Sequence, residues 1–299
     1  MKRTKVLKIN AQEPEIVKIR IAARVIRRGG TVAFPTETVY GLGADVLNAG
    51  AIKGIYIAKE RPPDNPMIVH VANKGQVYEL AREVPKAAEK LMAKFWPGPL
   101  TLVLKRAKAV PDIAVAGLDT VAIRMPDNKV ALALISESGT AIAAPSANLA
   151  GRPSPTTAAH VMEDLAGRID VVLDAGATRI GLESTVIDMT SSPPQILRPG
   201  GTPCEELRRA LGRVRLHPIV LSGKMHLARA RSPGMKHKHY APNAKVVVVE
   251  GTPSAVMKKV QELAALYMKE GKRVGVMATD ESESAYDADV VKSLGSRAD

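Results

Sequence analysis

At 299 residues and 45% hydrophobic content, the chain can bury a sizeable core, in one large domain or two unequal ones. Its one cysteine, Cys204, excludes an internal disulfide and a cysteine-rich zinc site. A net charge of +13 implies an anionic partner (nucleotide, RNA or acidic surroundings), while 3% aromatic content leaves few platforms for stacking single-stranded nucleic acid.

Residues 1–10 read as a short strand or arm carrying Lys2, Arg3, Lys5 and Lys8. From Glu15 to Arg28, Ile16, Ile19, Ala22, Ala23 and Ile26 recur at helical spacing, and Gly29-Gly30 stops the helix. A buried strand, Thr31 to Phe34, is broken by Pro35, which opens a hydroxyl-rich loop of Thr36, Thr38 and Tyr40 ending in Gly41-Leu42-Gly43. Asn48 is an N-cap for a helix to about Lys59. Lys59, Arg61 and Asn65 then lie among Pro62, Pro63 and Pro66, prolines that fix φ and stiffen a polar cluster. The strand Met67 to Ala72 is apolar except for His70, so this stretch is the start of an anion site, although a histidine on a strand is more often a satisfied core residue.

Two amphipathic helices follow, Gly75–Glu83 and Pro85–Phe95, then a turn at Trp96, which the pattern assigns to core packing, and a strand Leu100–Leu104. Thr120 to Arg124 is a strand ending in a cation, Val130–Ser138 a helix stopped by Gly139, and Ala141–Ala144 an apolar strand leading into Pro145-Ser146-Ala147-Asn148. Beyond a loop containing Ser154 come a helix Thr157–Ala166 and strands at 170–174, 186–189 and 196–198. A helix Pro203–Leu211 ends at Gly212. Strands and helices alternate without strict βαβ order, which predicts a mixed α/β sheet.

A boundary falls near 212–244, where the chain is basic and turn-rich. The run Val246–Val249, a helix Ser254–Lys269 and a strand Arg273–Met277 predict a small parallel α/β unit with a crossover helix. So short a unit is marginal as an independent fold, so the reading expects a chain incomplete at its C-terminus. The expected domains are 1–212, a linker 213–243 and 244–299.

No Walker A loop, no complete GxGxxG after a strand, no HExxH helix and no GxSxG elbow occurs. With neither a long apolar span nor a signal-peptide pattern, the expected compartment is the cytoplasm, off the membrane. Arg61, Arg124 and Arg198 each read alone as surface charge, but all lie at strand ends or in Pro/Gly-rich loops, where α/β proteins gather binding loops.

Lys59-x-Arg61 followed by Ser146-x-Asn148 resembles the signature pairs of the YrdC-like threonylcarbamoyl-adenylate synthases. FPTETVYGLG, RPPDNPMIVH, FWPGPLTLVL, GLDTVAIRMP, IAAPSANLAGRPSPT, ESTVIDM and ILRPG resemble that family in the same order, across about 15–212. SPGMKHKHYAP resembles the linker of the family's long form, which continues into a larger second domain. The resemblance implies a YrdC-type twisted mixed sheet with flanking helices around a basic cavity, plus a Rossmann-like C-terminal domain. It also implies that L-threonine, bicarbonate and ATP become threonylcarbamoyl-adenylate and pyrophosphate, with Mg2+ on the phosphates. The product would pass to a tRNA-modifying transferase.

By the same resemblance, Lys59, Arg61, Ser146 and Asn148 are the catalytic set. Arg61, Asn65, Thr120, Ser146, Ser154, Arg198 and linker Tyr240 contact ATP, with Lys59 and Asn148 supporting. Thr36 or Thr38, His70, Arg124, Ser184 and the backbone at Ala144 hold threonine or bicarbonate. Without the resemblance, Ser184 and Thr120 are open to ordinary strand hydrogen bonding. The chemistry needs no covalent enzyme nucleophile, so Cys204 takes no part. Two rivals stand beside this reading. One is a double-stranded RNA-binding module, which predicts RNA affinity that falls steeply with salt and no pyrophosphate. The other is an inactive subunit of the same fold, against which the intact signature pairs argue. Weak RNA binding is a further expectation for the basic cavity.

Overall fold

The structure, a computed structural model, describes residues 2–218, 220 and 244–297. The chain divides into two compact units, Met1–Ala241 and Pro242–Asp299.

In the first unit β1 (Lys5–Lys8) leads to α1 (Ile16–Arg27), then β2 (Val32–Phe34) and β3 (Gly41–Asp45). Next come α2 (Ala49–Lys59), β4 (Ile68–His70), α3 (Gly75–Leu80), β5 (Ala81–Glu83) and α4 (Lys86–Phe95). β6 (Leu100–Arg106), β7 (Thr120–Arg124), α5 (Lys129–Ser138), β8 (Ile142–Ala143) and α6 (Ala158–Leu165) follow. The unit continues through β9 (Val171–Asp174), β10 (Thr185–Asp188), β11 (Gln195–Arg198), α7 (Cys204–Leu211) and β12 (Arg215–Leu216). Among the described residues these strands make one 12-stranded sheet, β1-β9-β2-β3-β8-β4-β7-β6-β10-β11-β12, with β5 paired to β6. Pairing is mixed: β4 runs parallel to β7, and β6 antiparallel to β7 and parallel to β10.

Helix ends follow local chemistry. Asn48 accepts the Ala51 amide, Asn128 those of Val130 and Ala131, and Thr157 that of His160, caps worth about 1 kcal/mol each. α1 buries Ile19, Ala22, Ala23 and Ile26 against Val130, Leu134 and Ile135 of α5 and against β2 and β9. A larger core joins α2, α4, α6 and α7 to the remaining strands.

The side-chain alternation of a strand then decides what the other face carries. Leu102 and Leu104 of β6 and Val121 and Ile123 of β7 enter the larger core, while Val103 and Ala122 turn the other way. With Ile68, Val186 and Leu197 they make a small cluster of strand residues alone. His70 is two residues from Ile68, Arg124 two from Ala122 and Ser184 two from Val186, so the same face carries a histidine, a guanidinium and a hydroxyl.

Several local expectations need correction. Gly41-Leu42-Gly43 is strand β3, antiparallel to β2, rather than the end of a loop. The helix from Gly75 stops at Leu80, and Ala81–Glu83 pairs with β6 as an edge strand.

The second unit holds α8 (Pro253–Lys269), with proline in its first turn, and the parallel strands β13 (Gly275–Ala278) and β14 (Val290–Ser293). Its core is small: Ala264, Val276 and Ala278, with Val260, Met268 and Val291 packed alongside. Val246–Val249 is not a strand, because it finds no ladder partner; Val246, Val247 and Val248 are exposed. The parallel pair is instead β13 with β14, and α8 precedes both.

Candidate active site

A cleft of about 550 Å³, counted out to open solvent, lies where β4, β7 and the segments around Ser146 and Ser184 meet. Of the residues expected at a site, Thr36, Thr38, Arg61, His70, Arg124, Ala144, Ser146, Ser184 and Arg198 line it. Val39, Gly41, Ile68, Pro145 and Glu183 complete the wall.

Arg124 closes β7 and is held on three sides. Its Nη2 stands 2.6 Å from the Glu37 carboxylate, its Nη1 donates to Thr38 Oγ1 at 3.0 Å, and its Nε donates to the Gly98 carbonyl at 3.3 Å. The Arg124 and Glu37 side chains are 4% and 1% exposed, so the pair is almost wholly desolvated. Thr36 and Thr38 share a hydroxyl–hydroxyl contact of 2.8 Å, and Thr36 Oγ1 donates to the Val39 carbonyl at 2.7 Å. The hydroxyl-rich loop is therefore tied to itself before it meets Arg124.

His70 pairs in register with Arg124 across β4 and β7. Burial first, and the neighbouring Arg124 charge second, push its pKa down from 6.5 to about 3, so the ring is neutral. Its Nδ1 is buried without a hydrogen-bond partner among the described residues, and Phe34 meets the ring edge-on at 6.0 Å. The neutral ring therefore lines the cleft as a polar but uncharged neighbour of Arg124.

Arg61 leaves α2 through Glu60, whose φ of 52° ends the helix and sends the chain back. Its Nη2 donates to the Pro66 and Asn65 carbonyls at 3.0 and 3.3 Å, which aims the guanidinium along the proline loop. Arg198 ends β11 and donates to the Ser184 carbonyl from Nη2 at 2.9 Å and Nε at 3.2 Å, and to Ser184 Oγ at 3.3 Å. Gly200 lets these loops approach: a Cβ there would stand 2.3 Å from the Glu183 carbonyl oxygen. Ser184 Oγ also contacts Thr101 Oγ1 at 2.8 Å.

The other expected residues lie off the wall. Lys59 is 1% exposed and donates to the carbonyls of Ser146 and Asn148; burial, then Arg61, drives its pKa well below the usual lysine range. Asn148 accepts from Ser146 Oγ at 2.6 Å. Asn65 is 1% exposed, and Thr120 opens β7 opposite Lys105. Ser154 Oγ donates to Glu183. Tyr240 lies outside the described residues.

Sequence reading passed over Glu37 and Glu183. The signal for Glu37 is a lone carboxylate inside an otherwise uncharged Phe34–Gly43 block, and for Glu183 its place directly before Ser184. Among the described residues, no group of three or more His, Cys, Asp or Glu is placed to hold a metal ion, and no helix is long and apolar enough to cross a membrane.

Comparison with known proteins finds relatives over nearly the whole chain. The Sua5/YciO/YrdC domain model, described as telomere recombination, matches residues 24–200, and the model for the threonylcarbamoyl-AMP synthase C-terminal domain matches 203–299. A threonylcarbamoyl-AMP synthase of Pyrococcus abyssi is 54% identical over 96% of this chain and 83% of its own. That of Bacillus subtilis is 48% identical over 97% of this chain and 81% of its own. The crystal structure of P. abyssi Sua5 complexed with L-threonine superposes with a TM-score of 0.92 at 52% identity, covering 97% of this chain and 83% of that one.

Proposed function

The chain belongs to the Sua5-type threonylcarbamoyl-AMP synthases, and we propose that the cleft walled by Arg61, Arg124 and Arg198 carries this enzyme's reaction on L-threonine, bicarbonate and ATP. The observation that carries the assignment is the convergence of three guanidiniums, a neutral histidine and the hydroxyls of Thr36, Thr38, Ser146 and Ser184 on one cleft.

The chemistry follows from that wall. The threonine ammonium sheds a proton, and the free amine then captures bicarbonate as a carbamate and releases water. A carbamate oxygen attacks the α-phosphorus of ATP, and pyrophosphate leaves. Both partners are anions, so the protein's task is to hold them together and neutralise charge. Arg61 and Arg198 face the triphosphate, and Ser146 joins them on the nucleotide side. Arg124 takes the threonine carboxylate; a planar guanidinium suits a carboxylate, and its fixed orientation cuts the ordering cost of binding. His70, Thr36 or Thr38, Ser184 and the backbone at Ala144 complete the threonine and bicarbonate side. Asn65, Thr120, Ser154 and Tyr240 belong to the nucleotide side by resemblance. Magnesium arrives on the triphosphate as part of the substrate.

The C-terminal domain model matches 203–299, a stretch that includes the second unit, and we read that unit as Rossmann-like with 213–243 as the linker. We read the product adenylate as the activated donor for a tRNA-modifying transferase, and the cytoplasm as the compartment of the reaction. Pyrophosphate release that requires threonine, bicarbonate and ATP together supports this reading; release from ATP alone, or none, opposes it.

A further inference from the structure

The turn that brings Ser146 to the cleft is gripped by charged side chains from two different helices. At the end of α2, the Lys59 ammonium donates to the carbonyls of Ser146 and Asn148, and the Lys59 carbonyl accepts the Ala150 amide at 2.9 Å. At the end of α6, Asp164 Oδ2 accepts the Leu149 amide at 3.0 Å and Oδ1 pairs with Arg152 Nη1 at 2.5 Å. Asn148 closes the turn internally, its Nδ2 donating to the Leu149 and Arg152 carbonyls at 2.8 Å each.

Charge and polarity match on each side. The cation meets carbonyls and the anion meets an amide, so the turn is fixed from both of its polar faces. The Lys59 Nζ is committed to two carbonyls, and withdrawing it would leave buried acceptors without a donor. Lys59 is absent from the cleft wall, as is Asp164, while Ser146 stands on it. The negative charge of Asp164 also opposes the effect of burial and of Arg61 on Lys59.

We propose that Lys59 and Asp164 are positioning residues that act on the nucleotide side of the cleft through the 146–152 turn, neither of them touching substrate. The proposal rests on the reading of the cleft as the adenylate-forming site. It assigns a role to Asp164 and states how Lys59 supports the nucleotide side: through the turn that carries Ser146.

The test compares Lys59→Met and Asp164→Asn with the unaltered full-length protein. Amide hydrogen exchange without substrates should accelerate at least about tenfold across 146–152 in both variants, with β6 and β7 unchanged. Both should raise KM for ATP several-fold, with KM for threonine within about twofold. A Lys59→Met protein that loses ATP affinity while its 146–152 amides exchange normally would make Lys59 a direct ligand and overturn the proposal. Unchanged exchange and kinetics in Asp164→Asn would overturn it equally, and that variant decides alone should Lys59→Met fail to fold. An unaltered protein that makes no adenylate would instead refute the functional reading, leaving hydrogen exchange to decide the clamp.

Discussion

Glu37 and Arg124 stand 2.6 Å apart with 1% and 4% of their side chains exposed, one on the loop after β2 and the other at the end of β7. Removing one member of a buried pair leaves the other charge uncompensated, at a cost of about 3–5 kcal/mol. Glu37→Gln should therefore lower the melting temperature clearly and weaken threonine binding. A double substitution, Glu37→Leu with Arg124→Met, should recover most of the stability and none of the threonine-dependent turnover. Thermal melts with threonine titrations check both; a double variant as unstable as the single would show that the pair's charges are not the issue.

Arg124→Lys keeps the charge and loses the planar fork. Threonine affinity should fall further than ATP affinity. Equal losses, measured by calorimetric titration of each substrate, would remove Arg124 from the threonine carboxylate.

Arg61→Ala and Arg198→Ala each delete a cation facing the triphosphate. Charge-assisted hydrogen bonds are worth about 1.5–3 kcal/mol, so ATP affinity should fall roughly ten- to a hundred-fold in each. Unchanged affinity in both would take them out of the nucleotide site.

His70 sets an acid-stability prediction. Its folded pKa, about 3, lies below the ordinary 6.5, so between these values the unfolded chain binds the proton and the folded one does not. Stability should fall as pH drops through that window, by about 1.4 kcal/mol per pH unit from this group. His70→Gln should lose that component in denaturant titrations at stepped pH. An identical acid slope in the variant would mean that the ring titrates normally.

These residues also mark what the sequence could tell. Helices with strong periodicity, such as α1, and those opened by Asn48 or Asn128 are local matters and lie close to where the pattern puts them. β3 was hidden because Gly41-Leu42-Gly43 has the composition of a turn. Gly43 is there for space: a Cβ would stand 2.5 Å from Ile142 and 2.7 Å from Phe34, contacts set by the flanking strands β8 and β2. Val246–Val249 has strand composition without a ladder partner, which composition does not report. Arg61, Arg124 and Arg198 were recognisable by their loop positions, whereas the destination of Lys59 depended on a turn nearly ninety residues away. Glu37 gave no signal of its partner because the pair forms only when β2 and β7 share a sheet.

The central claim is that this cleft joins threonine, carbonate carbon and adenylate in one product, and isotopic label tests it most directly. With 13C-bicarbonate, L-threonine and ATP, mass spectrometry of the unaltered protein's product should show an AMP conjugate one mass unit heavier than with ordinary bicarbonate. The Arg61→Ala/Arg198→Ala double variant should form almost none. An unlabelled conjugate, no conjugate, or equal yield from the double variant would contradict the account.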